Sequence, residues 1–362
     1  MRKKAIFIVA TQYDNVGDLL INKCLIYELS NYVDLYLDTR NVPDEFKEKL
    51  LESTTNVFLL EDLTKYSFKG IGAILFFFSN VRIDYIFKSP GPFGSGGNKN
   101  VFLKNLFFGF IYSLFRLKKV RSYLIGNDIQ TQHWLDRFWL RIFSGNIERI
   151  LSRSSKNVNS LQNLGIKNVG YVPDMCFGLR TNDVRLFAER QKIGISFRDL
   201  NSSENHLNIE ESIDMMVNFW LKEGYEIIFF YQVDRDREYN QRLYERYNST
   251  EGVSFRDGCL LWNDIDVYQN FAMLLSNRLH VILLGLVFGA IPLGVLDDNL
   301  KTKKIHEIFE TIGLDSLLFQ RVMLANLEFI QNNMYNINLE TMAVSITQRK
   351  MLKDSIANLF GN

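Results

Sequence analysis

The sequence has few of the residues that build disulfide frameworks or metal centres. Of its 362 residues, only three are cysteine and four are histidine. The cysteines are Cys24, Cys176 and Cys259. No two of them are spaced as a pair, which argues against a disulfide framework or a zinc site and predicts reduced, buried thiols. Three histidines, His133, His206 and His306, lack neighbours at metal-ligand spacing, so no metal cofactor is expected.

The charges are almost balanced, and two familiar nucleotide-binding loops are missing. Lysine and arginine total 42 against 41 aspartate and glutamate residues, for a net charge of +1. Broad nucleic-acid binding needs a strongly basic face, so no nucleic-acid partner is expected. The sequence has no Walker A loop and no Gly-x-Gly-x-x-Gly after the first predicted strand, which argues against ATPase or NAD chemistry.

No apolar run is long enough to span a membrane. The opening Met1-Arg-Lys-Lys precedes an apolar stretch, residues 5–10, that is too short for a signal peptide and fits a first strand. The richest apolar segment, residues 101–117, is interrupted by Lys104 and Arg116, and its unbroken part is well below the ~18 residues of a membrane span. We therefore expect a cytoplasmic protein. The alternative for 101–117 is a helix lying on the inner face of the membrane, which would give peripheral membrane contact.

Apolar segments alternate with helical patterns along the first half of the chain. Strands are predicted at residues 4–10, 33–38, 56–60, 71–78, 84–88 and 122–125, and helices at about 19–31 and 101–117. Continuous apolar runs of this kind are typical of strands covered by helices on both faces. Strand–helix alternation indicates a parallel, doubly wound sheet and therefore an α/β fold.

The second half repeats this pattern. Strands are predicted at 192–197, 226–232, 253–255 and 291–296, and helices at 208–223, 234–247, 267–276, 280–289 and 304–313. Because single cores rarely grow past roughly 250–300 residues, a chain of this length favours two lobes. The predicted domains are an N-terminal Rossmann-like lobe at 1–182, a C-terminal Rossmann-like lobe at 183–325, and C-terminal helices at 326–362 that in such folds often pack back on the first lobe. The lobes would form a central cleft at the carboxyl ends of their strands.

The first candidate site is Asn15-Val16-Gly17-Asp18, between the first strand and its helix. Gly17 permits close approach of the backbone, and the free N–H groups of a helix start favour an anion or a polar ligand. The alternative is a plain turn in which Asp18 caps the following helix.

Two cationic segments of the second lobe are the next candidates. Arg198 follows a predicted strand, where it could hold a carboxylate or phosphate through two hydrogen bonds; the alternative is a surface pair with Asp199. Arg278-Leu279-His280 opens an apolar helix, where polar side chains cost desolvation energy unless a ligand uses them. The helix start favours a phosphorylated ligand, and histidine is well suited to donate a proton near neutral pH. The alternative for His280 is a satisfied core residue.

The last candidate is the basic stretch Lys301-Thr302-Lys303-Lys304, predicted as a loop after strand 291–296. A lysine at a strand-to-helix turn can reach a phosphate. The alternative is a solvated surface cluster, which is what most lysine runs are.

In their order and spacing these segments resemble the polysaccharide pyruvyltransferase family. The resemblance runs through Asn15-x-Gly17-Asp18-x-x-Ile21, Ser152-Arg153-Ser154-Ser155, Ser160-Leu161-x-x-Leu164-Gly165-Ile166, Val172-Pro173-Asp174, Phe197-Arg198, Ser276-x-Arg278-Leu279-His280, Gly289-x-Ile291-Pro292 and Lys304 with Phe309-x-x-Ile312-Gly313-Leu314. It spans roughly residues 15–314. Its specificity comes from several short motifs in the right order and not from any one of them.

The resemblance implies a fold like that of GT-B glycosyltransferases and the transfer of a pyruvyl group from phosphoenolpyruvate to a sugar, with a ketal formed across two hydroxyls. Phosphoenolpyruvate would be the donor substrate, with no other cofactor. The acceptor partner would be a glycan of a capsule, exopolysaccharide or cell wall, or its lipid-linked precursor. His280, Arg278 and Arg198 would belong to the active site. Arg198, Arg278 and Lys304 would bind the donor, and His280 would protonate its methylene carbon.

On the acceptor side the resemblance implies binding roles for Asn15, Gly17 and Asp174. Asp18 or Asp174 would orient or deprotonate the acceptor hydroxyls. The alternative for both aspartates is a purely structural role. Two departures from the family pattern fall in the same lobe, because its glycine turns are replaced here by residues 89–97 and 126–130.

Two other functions stay open. A GT-B glycosyltransferase would use the same cations to grip the diphosphate of a nucleotide sugar, although a Glu-x-x-x-x-x-x-x-Glu signature is not evident in the second lobe. A non-catalytic partner in a polysaccharide assembly complex would keep the fold and would tolerate loss of His280.

Overall fold

The computed structural model describes residues 2–179, 185–260, 262–297 and 300–361, without the side chains of Leu300 and Lys301. The chain forms two compact units. Unit 1 comprises Met1–Tyr13, Asp18–Gly178 and Arg349–Asn362, and unit 2 comprises Asp14–Gly17 and Leu179–Gln348. The predicted C-terminal segment is therefore divided, with residues 326–348 in unit 2 and 349–362 in unit 1. The predicted domain boundary between residues 182 and 183 lies outside the described residues.

Unit 1 is built on a seven-stranded parallel sheet. Its strands, with two short ones outside that sheet, are β1 (Lys4–Ile8), β2 (Asp34–Asp38), β3 (Val57–Leu59), β4 (Tyr85–Lys88), β5 (Gly91–Phe93), β6 (Arg121–Ile125), β7 (Asn127–Ile129), β8 (Arg149–Ser152) and β9 (Val169–Tyr171). The strand order is β3-β2-β1-β4-β6-β8-β9, and β5 pairs with β7 separately. The sheet is extended on one side of β1 by β2 and β3 and on the other side by β4, β6, β8 and β9. The topological switch point therefore lies between β1 and β4.

The helices of unit 1 build its core against this sheet. They are α1 (Val16–Ser30), α2 (Asp44–Leu51), α3 (Leu60–Leu63), α4 (Ile71–Phe77), α5 (Lys99–Leu117), α6 (Trp134–Phe143) and α7 (Ser155–Asn163). Phe76 of α4, Phe115 of α5 and Trp139 of α6 belong to one buried cluster with Ile86 and Leu124 of the sheet. Burial on both sides explains why the strands read as continuous apolar runs.

The prediction of a strand at 71–78 is wrong, because these residues form α4. Ala73 and Phe76, three residues apart, are buried, whereas Ile71 and Phe78 are exposed. Such spacing places one helical face on the core. A short, uniformly apolar run does not show this difference in sequence.

Unit 2 has its own parallel sheet of six strands. They are β10 (Lys192–Ser196), β11 (Glu226–Phe229), β12 (Val253–Phe255), β13 (Phe271–Ser276), β14 (Ile291–Val295) and β15 (Leu318–Phe319). The order is β12-β11-β10-β13-β14-β15, which puts the switch point between β10 and β13. The predicted α/β class with parallel sheets is confirmed.

The helices of unit 2 bring two corrections. They are α8 (Ser203–Lys222), α9 (Arg237–Glu245), α10 (Leu279–Val287), α11 (Leu300–Ile312) and most of α12 (Leu324–Ala357), whose residues from Arg349 onward belong to unit 1. The predicted helix at 267–276 is wrong, because a 3-10 helix, Trp262–Asn270, leads into β13, whose six residues are all buried. The predicted basic loop at 301–304 is also wrong, because α11 has already begun there. The hydroxyl of Thr302 stabilises that helix start by donating a hydrogen bond to the carbonyl of Asp297 at 2.7 Å.

Candidate functional site

The carboxyl ends of β10 and β13 lie side by side at the switch point of unit 2. Ser196 and Ser276, the last residues of the two strands, are register partners. Arg198 and Arg278 each follow two residues later, so two of the predicted donor-binding cations leave neighbouring strand ends. This is the edge at which open α/β sheets bind their ligands.

Two asparagine side chains hold the backbone beyond β10. Asn277 accepts from the N–H of Arg198 at 2.7 Å and donates to its carbonyl at 2.9 Å. Asn240 of α9 makes the same two bonds with Phe197, at 2.7 and 2.8 Å. Both amides are buried. Because buried backbone groups must be paired, these amides stand in for strand partners and fix the point from which the Arg198 side chain extends.

Arg278 is anchored through both its backbone and its guanidinium. Its N–H donates to Ser276 Oγ at 2.9 Å, and its Nη2 forms an ion pair with Asp236, the residue before α9. The two paired side chains are only 12% and 4% exposed. The Nε–H of Arg278 is buried and has no hydrogen-bond acceptor among the described residues. An unsatisfied buried donor costs about 1–3 kcal/mol, so this geometry favours a ligand that accepts the hydrogen bond.

The charges of three arginines act on one carboxylate at this edge, and one of them, Arg278, contacts it. Burial lowers the pKa of the Arg198 guanidinium, and the positive charges of Arg278 and Arg235 lower it further. Burial raises the pKa of Asp236, while Arg278 and the other two arginines oppose that change. These four side chains carry a net charge of +2 when all are ionised, which suits an anion with more than one negative charge.

His280, half-buried in the first turn of α10, lies directly against Gly17. A Cβ atom on residue 17 would be 2.2 Å from Nδ1 of His280 and 2.7 Å from its Cγ. Glycine is therefore the residue that leaves room for the imidazole. Two of the sequence motifs, the one around Asn15 and Gly17 and the one around Arg278 and His280, are brought together within unit 2.

The turn before α1 is organised by Asn15. Its Oδ1 accepts from the N–H of Gly17 at 3.0 Å, which is the arrangement of a helix N-cap. Asp18 is the third residue of α1, and its carboxylate accepts from the backbone N–H of Gln12 at 3.2 Å. The cap is therefore Asn15, and Asp18 closes the preceding loop.

Cys259 lies near the same edge but is unsuited to act as a nucleophile. Burial raises the pKa of its thiol to about 12, with further contributions from Asp234, Asp236 and Asp14. A reactive cysteine needs a lowered pKa, so this thiol stays protonated near neutral pH.

Lys304, the third predicted donor-binding cation, is half-buried in the second turn of α11. This helix follows β14, which pairs with β13. Lys304 therefore lies on the element that follows the strand next to Arg278. The side chain of Lys301 lies outside the described residues.

Asp174, in unit 1, belongs to a buried ion-pair network. It accepts from Arg153 Nη1 at 2.6 Å, and neither side chain is more than 2% exposed. Arg153 also donates to Asp128 from Nε at 3.0 Å, while the second oxygen of Asp174 accepts from the N–H of Cys176 at 3.0 Å. These contacts favour the structural alternative for Asp174 and give no support to its predicted contact with an acceptor.

The two unusual glycine segments of the first lobe pair with each other. The segment 89–97 contains β5 and the segment 126–130 contains β7, and Gly91 lies opposite Asn127. The Asn127 amide donates to the carbonyls of Ser89 and Gly91 at 3.1 and 3.0 Å. What the sequence presents as two loops is therefore a single ordered element that follows β4 and β6.

The sequence analysis predicted Arg198 and Arg278 of this candidate site, but neither Arg235 nor the residues that position the arginines. Asn240 and Asp236 lie in a segment predicted only as a polar helix, where nothing separates them from solvent-exposed residues. Asn277 lies within a predicted motif that gives it no role. A usable signal is the position of Asp236 just after a predicted strand, because side chains there reach the carboxyl edge of a parallel sheet.

The described ranges contain neither a candidate metal-binding cluster nor a membrane-spanning helix. No group of three or more His, Cys, Asp or Glu residues there could hold a metal ion. In the same part of the chain, no helix is long and apolar enough to cross a membrane.

The sequence profile of the family described as polysaccharide pyruvyl transferase matches residues 15–293, well over half of the chain. The matched region begins at Asn15 and contains Arg198, Arg278 and His280, whereas Lys304 lies beyond it. None of the curated proteins compared with this chain matches it.

Several solved structures are similar over nearly the whole chain. Alr3699/HepE from Anabaena, in complex with UDP and glucose, has a TM-score of 0.58 at 10% identity, with 99% of this chain and 98% of that chain covered. The UDP-GlcNAc 2-epimerase from Neisseria meningitidis bound to UDP-GlcNAc has a TM-score of 0.61 at 11% identity, with 99% and 100% covered. A putative UDP-N-acetylglucosamine 2-epimerase from Listeria monocytogenes has a TM-score of 0.59 at 9% identity, with 99% and 94% covered. At such identities the likeness shows the fold alone, and it confirms the predicted GT-B-like class.

Proposed function

Because the chain belongs to the polysaccharide pyruvyl transferase family, we propose that it transfers a pyruvyl group from phosphoenolpyruvate to a sugar of a surface polysaccharide or of its lipid-linked precursor. The observation that carries this proposal is the pair of arginines at the switch point of unit 2. Arg198 and Arg278 leave neighbouring strand ends, and Arg235 acts on the same carboxylate as they do. Phosphoenolpyruvate carries both a phosphate and a carboxylate, and arginine binds either group through two hydrogen bonds.

In this proposal Arg198 and Arg278 bind the two anionic groups of the donor. The buried Nε–H of Arg278, which has no acceptor within the described chain, would donate to a donor oxygen. Lys304 adds a third cation. Because lysine is a point charge on a flexible stem, it could stay with the phosphate as that group leaves.

His280 is the proposed general acid. It would give its proton to the methylene carbon of phosphoenolpyruvate, which leaves a cationic centre at the adjacent carbon. One sugar hydroxyl attacks that carbon, and the bond between the same carbon and the bridging phosphate oxygen breaks. The second hydroxyl then completes the ketal. Of the two hydroxyl protons, one restores His280 and the other leaves with the phosphate, so atoms and charge balance. General acid catalysis of this kind contributes about 10²–10⁴-fold.

The acceptor would approach from the turn before α1. Gly17 holds its backbone against the imidazole of His280, so a hydroxyl bound beside Asn15 or Gly17 would be near the reacting carbon. Asp18 is half-buried and remains a candidate to orient or deprotonate that hydroxyl. We leave Asp174 out of the acceptor site because its carboxylate is fully buried and paired with Arg153.

The proposal is tested first by ligand stabilisation and then by turnover. A ligand present at 100 times its Kd stabilises a protein by about 2.7 kcal/mol, so phosphoenolpyruvate should raise the Tm. Arg198→Ala and Arg278→Ala should each abolish most of that shift. Release of phosphate should then depend on one member of a saccharide panel.

His280→Ala should lower phosphate release about a hundredfold or more while the Tm shift with phosphoenolpyruvate persists. His306→Ala, on α11, is the matched control because His306 is also half-buried. If His280→Ala and His306→Ala retain the same turnover, His280 is not the acid.

A nucleotide-sugar glycosyltransferase is the second candidate. It is favoured by the solved structures, since the Anabaena protein was determined with UDP-glucose and the Neisseria protein with UDP-GlcNAc. A Tm shift with UDP-sugars and none with phosphoenolpyruvate would establish this alternative. If neither class of ligand stabilises the protein, the non-catalytic partner of an assembly complex becomes the better explanation.

A further inference from the structure

One face of α6 carries large apolar side chains that the rest of the described chain covers only in part. Trp134, Phe138 and Ile142 recur every four residues and are 62%, 46% and 49% exposed. The opposite face of the same helix, with Trp139 and Leu140, is buried in the core of unit 1. The helix therefore has two apolar faces, and only one of them is explained by folding.

Arginines complete the exposed face. Arg137 and Arg141 lie three and seven residues after Trp134 and are exposed. Residues at this spacing share one side of a helix with the apolar group. The only acidic residue of α6, Asp136, is turned inward and accepts hydrogen bonds from two backbone N–H groups of segment 89–97. We call the set Trp134, Arg137, Phe138, Arg141 and Ile142 the outer face of α6.

Two surface cavities adjoin this face and share Arg141. The first, of about 300 Å³, is lined by the outer-face residues Trp134 to Arg141 together with Leu164. The second, of about 500 Å³, has four basic side chains and one acidic side chain in its lining. These are Arg116, Arg121, Arg141, Lys167 and Glu148. The second cavity lies at the amino ends of β6, β8 and β9, away from the carboxyl edge at which such sheets bind their ligands.

We propose that the outer face of α6 docks on the surface of an anionic lipid bilayer, with its apolar side chains in the boundary between headgroups and acyl chains and a lipid phosphate in the basic cavity. Tryptophan is enriched at this depth, and a basic and aromatic helix face is typical of interfacial binding. Arginines near an anionic surface add electrostatic attraction.

Charge decides between a bilayer and a second copy of this chain. Helix α5, which packs beside α6, has three basic residues, Lys99, Lys104 and Arg116, and no acidic one. A second copy laid face to face would therefore bring like charges together. An anionic bilayer supplies the opposite charge over the whole area and accepts the apolar side chains without a shaped pocket.

Docking of α6 on a membrane is independent of the sugar chemistry and of the identity of the donor. It places the chain at the kind of surface where a lipid-linked acceptor would be found. It also differs from the expectation of a surface-lying helix at 101–117, because the observed face belongs to α6.

Vesicle sedimentation tests the proposal with the full-length protein. We expect binding to vesicles of phosphatidylcholine with 30% phosphatidylglycerol, and at least tenfold weaker binding to pure phosphatidylcholine. The variants W134S/F138S/I142S and R137E/R141E should each weaken binding to the anionic vesicles at least tenfold. Added salt should weaken the wild type more than R137E/R141E.

The controls carry comparable substitutions away from α6, on α12 and at the end of α8. F329S/Y335S removes two aromatic side chains that are 62% and 68% exposed, and K222E/K350E reverses two exposed lysines. Both should bind as the wild type does, and circular dichroism and Tm should show that every variant folds. Inorganic phosphate at millimolar concentration should not displace the protein from the vesicles, because the bilayer binds both the arginines, through its headgroups, and the apolar side chains, at the acyl-chain boundary.

Three results would overturn the proposal. The first is absence of wild-type binding to anionic vesicles. The second is equal loss of binding in the control variants. The third is a concentration-dependent dimer in sedimentation velocity that W134S/F138S/I142S abolishes without any vesicle binding, because that would make the face an interface between copies.

Discussion

Replacing Gly17 by alanine would test the coupling between the two motifs that meet in unit 2. The added Cβ would be 2.2 Å from His280 Nδ1, whereas ordinary van der Waals contact begins near 3.4 Å. The imidazole or the turn must therefore move by about 1.2 Å, the difference between those two distances. A misplacement of about 1 Å at a reacting group costs roughly a hundredfold in rate. We expect G17A to release phosphate from phosphoenolpyruvate 10- to 100-fold more slowly than the wild type.

The fold should tolerate this change. Gly17 is the second residue of α1, and its φ lies outside the left-handed region that favours glycine. Alanine is the better helix former, by up to about 1 kcal/mol, which offsets part of the steric cost. Arg198 and Arg278 are not displaced by the new methyl group, so the Tm shift with phosphoenolpyruvate should remain. Loss of turnover with retained donor binding is therefore the expected signature.

Two further variants make this prediction refutable. G145A is the matched control, because a Cβ there meets nothing within 4 Å. The double variant G17A/H280A should be little slower than H280A, since the two closest atoms that the methyl group would meet, Nδ1 and Cγ, are removed and only the Cβ of residue 280, at 2.9 Å, remains. Unchanged turnover in G17A, or additive losses in the double variant, would refute the argument that Gly17 serves to seat His280.

Three other predictions concern stability. Asn277→Ala removes both bonds to the backbone of Arg198 and should lower the free energy of unfolding by about 1–3 kcal/mol, measured by urea denaturation, and should weaken stabilisation by phosphoenolpyruvate. Asp174→Ala leaves Arg153 with one carboxylate fewer in a buried site and should cost about 3–5 kcal/mol; a loss below 1 kcal/mol would contradict a structural role. Burial lowers the pKa of the Lys88 ammonium from 10.5 to about 8. Between those values the unfolded chain holds more protons than the native one, so stability should rise with pH from about 8 to 10.5, and Lys88→Met should flatten that rise in denaturation series at pH 7, 9 and 10.

The elements near the site could be predicted where composition and position agree. The strand before Arg198 and the helix that begins beside His280 follow from apolar runs bounded by polar residues. Segments 71–78 and 267–276 were assigned the wrong type, because a short apolar run has the same composition in a buried strand and in a helix. Only the tertiary environment distinguishes the two segments: 71–78 has one face exposed to solvent, whereas 267–276 has none.

Two arginines of the candidate site could be predicted from the sequence, whereas Arg235 and the asparagines that hold the backbone could not. Arg198 and Arg278 could be singled out because cations near strand ends and apolar helix starts are costly without a ligand. Asn240 acts through a hydrogen bond to Phe197, 43 positions away in sequence, and no local pattern encodes a contact of that separation. The pairing of segments 89–97 and 126–130 is likewise non-local, so two loops appear in sequence where the fold has one element.

The paired amides of Asn240 and Asn277 have a consequence for how substitution at residue 198 would act in this protein. At Phe197 and Arg198 they bond to main-chain atoms, and so these bonds do not depend on the side chains at those positions. Asn240 also donates to the carbonyl of Asp236 at 2.8 Å. The hydrogen bonds from Asn277 would therefore hold the main chain of residue 198 with any side chain at that position. A single substitution there could alter which molecule is recognised while the surrounding framework stays as it is. If Arg198 binds the donor as proposed, the ligand preference of this edge could change at little cost to folding.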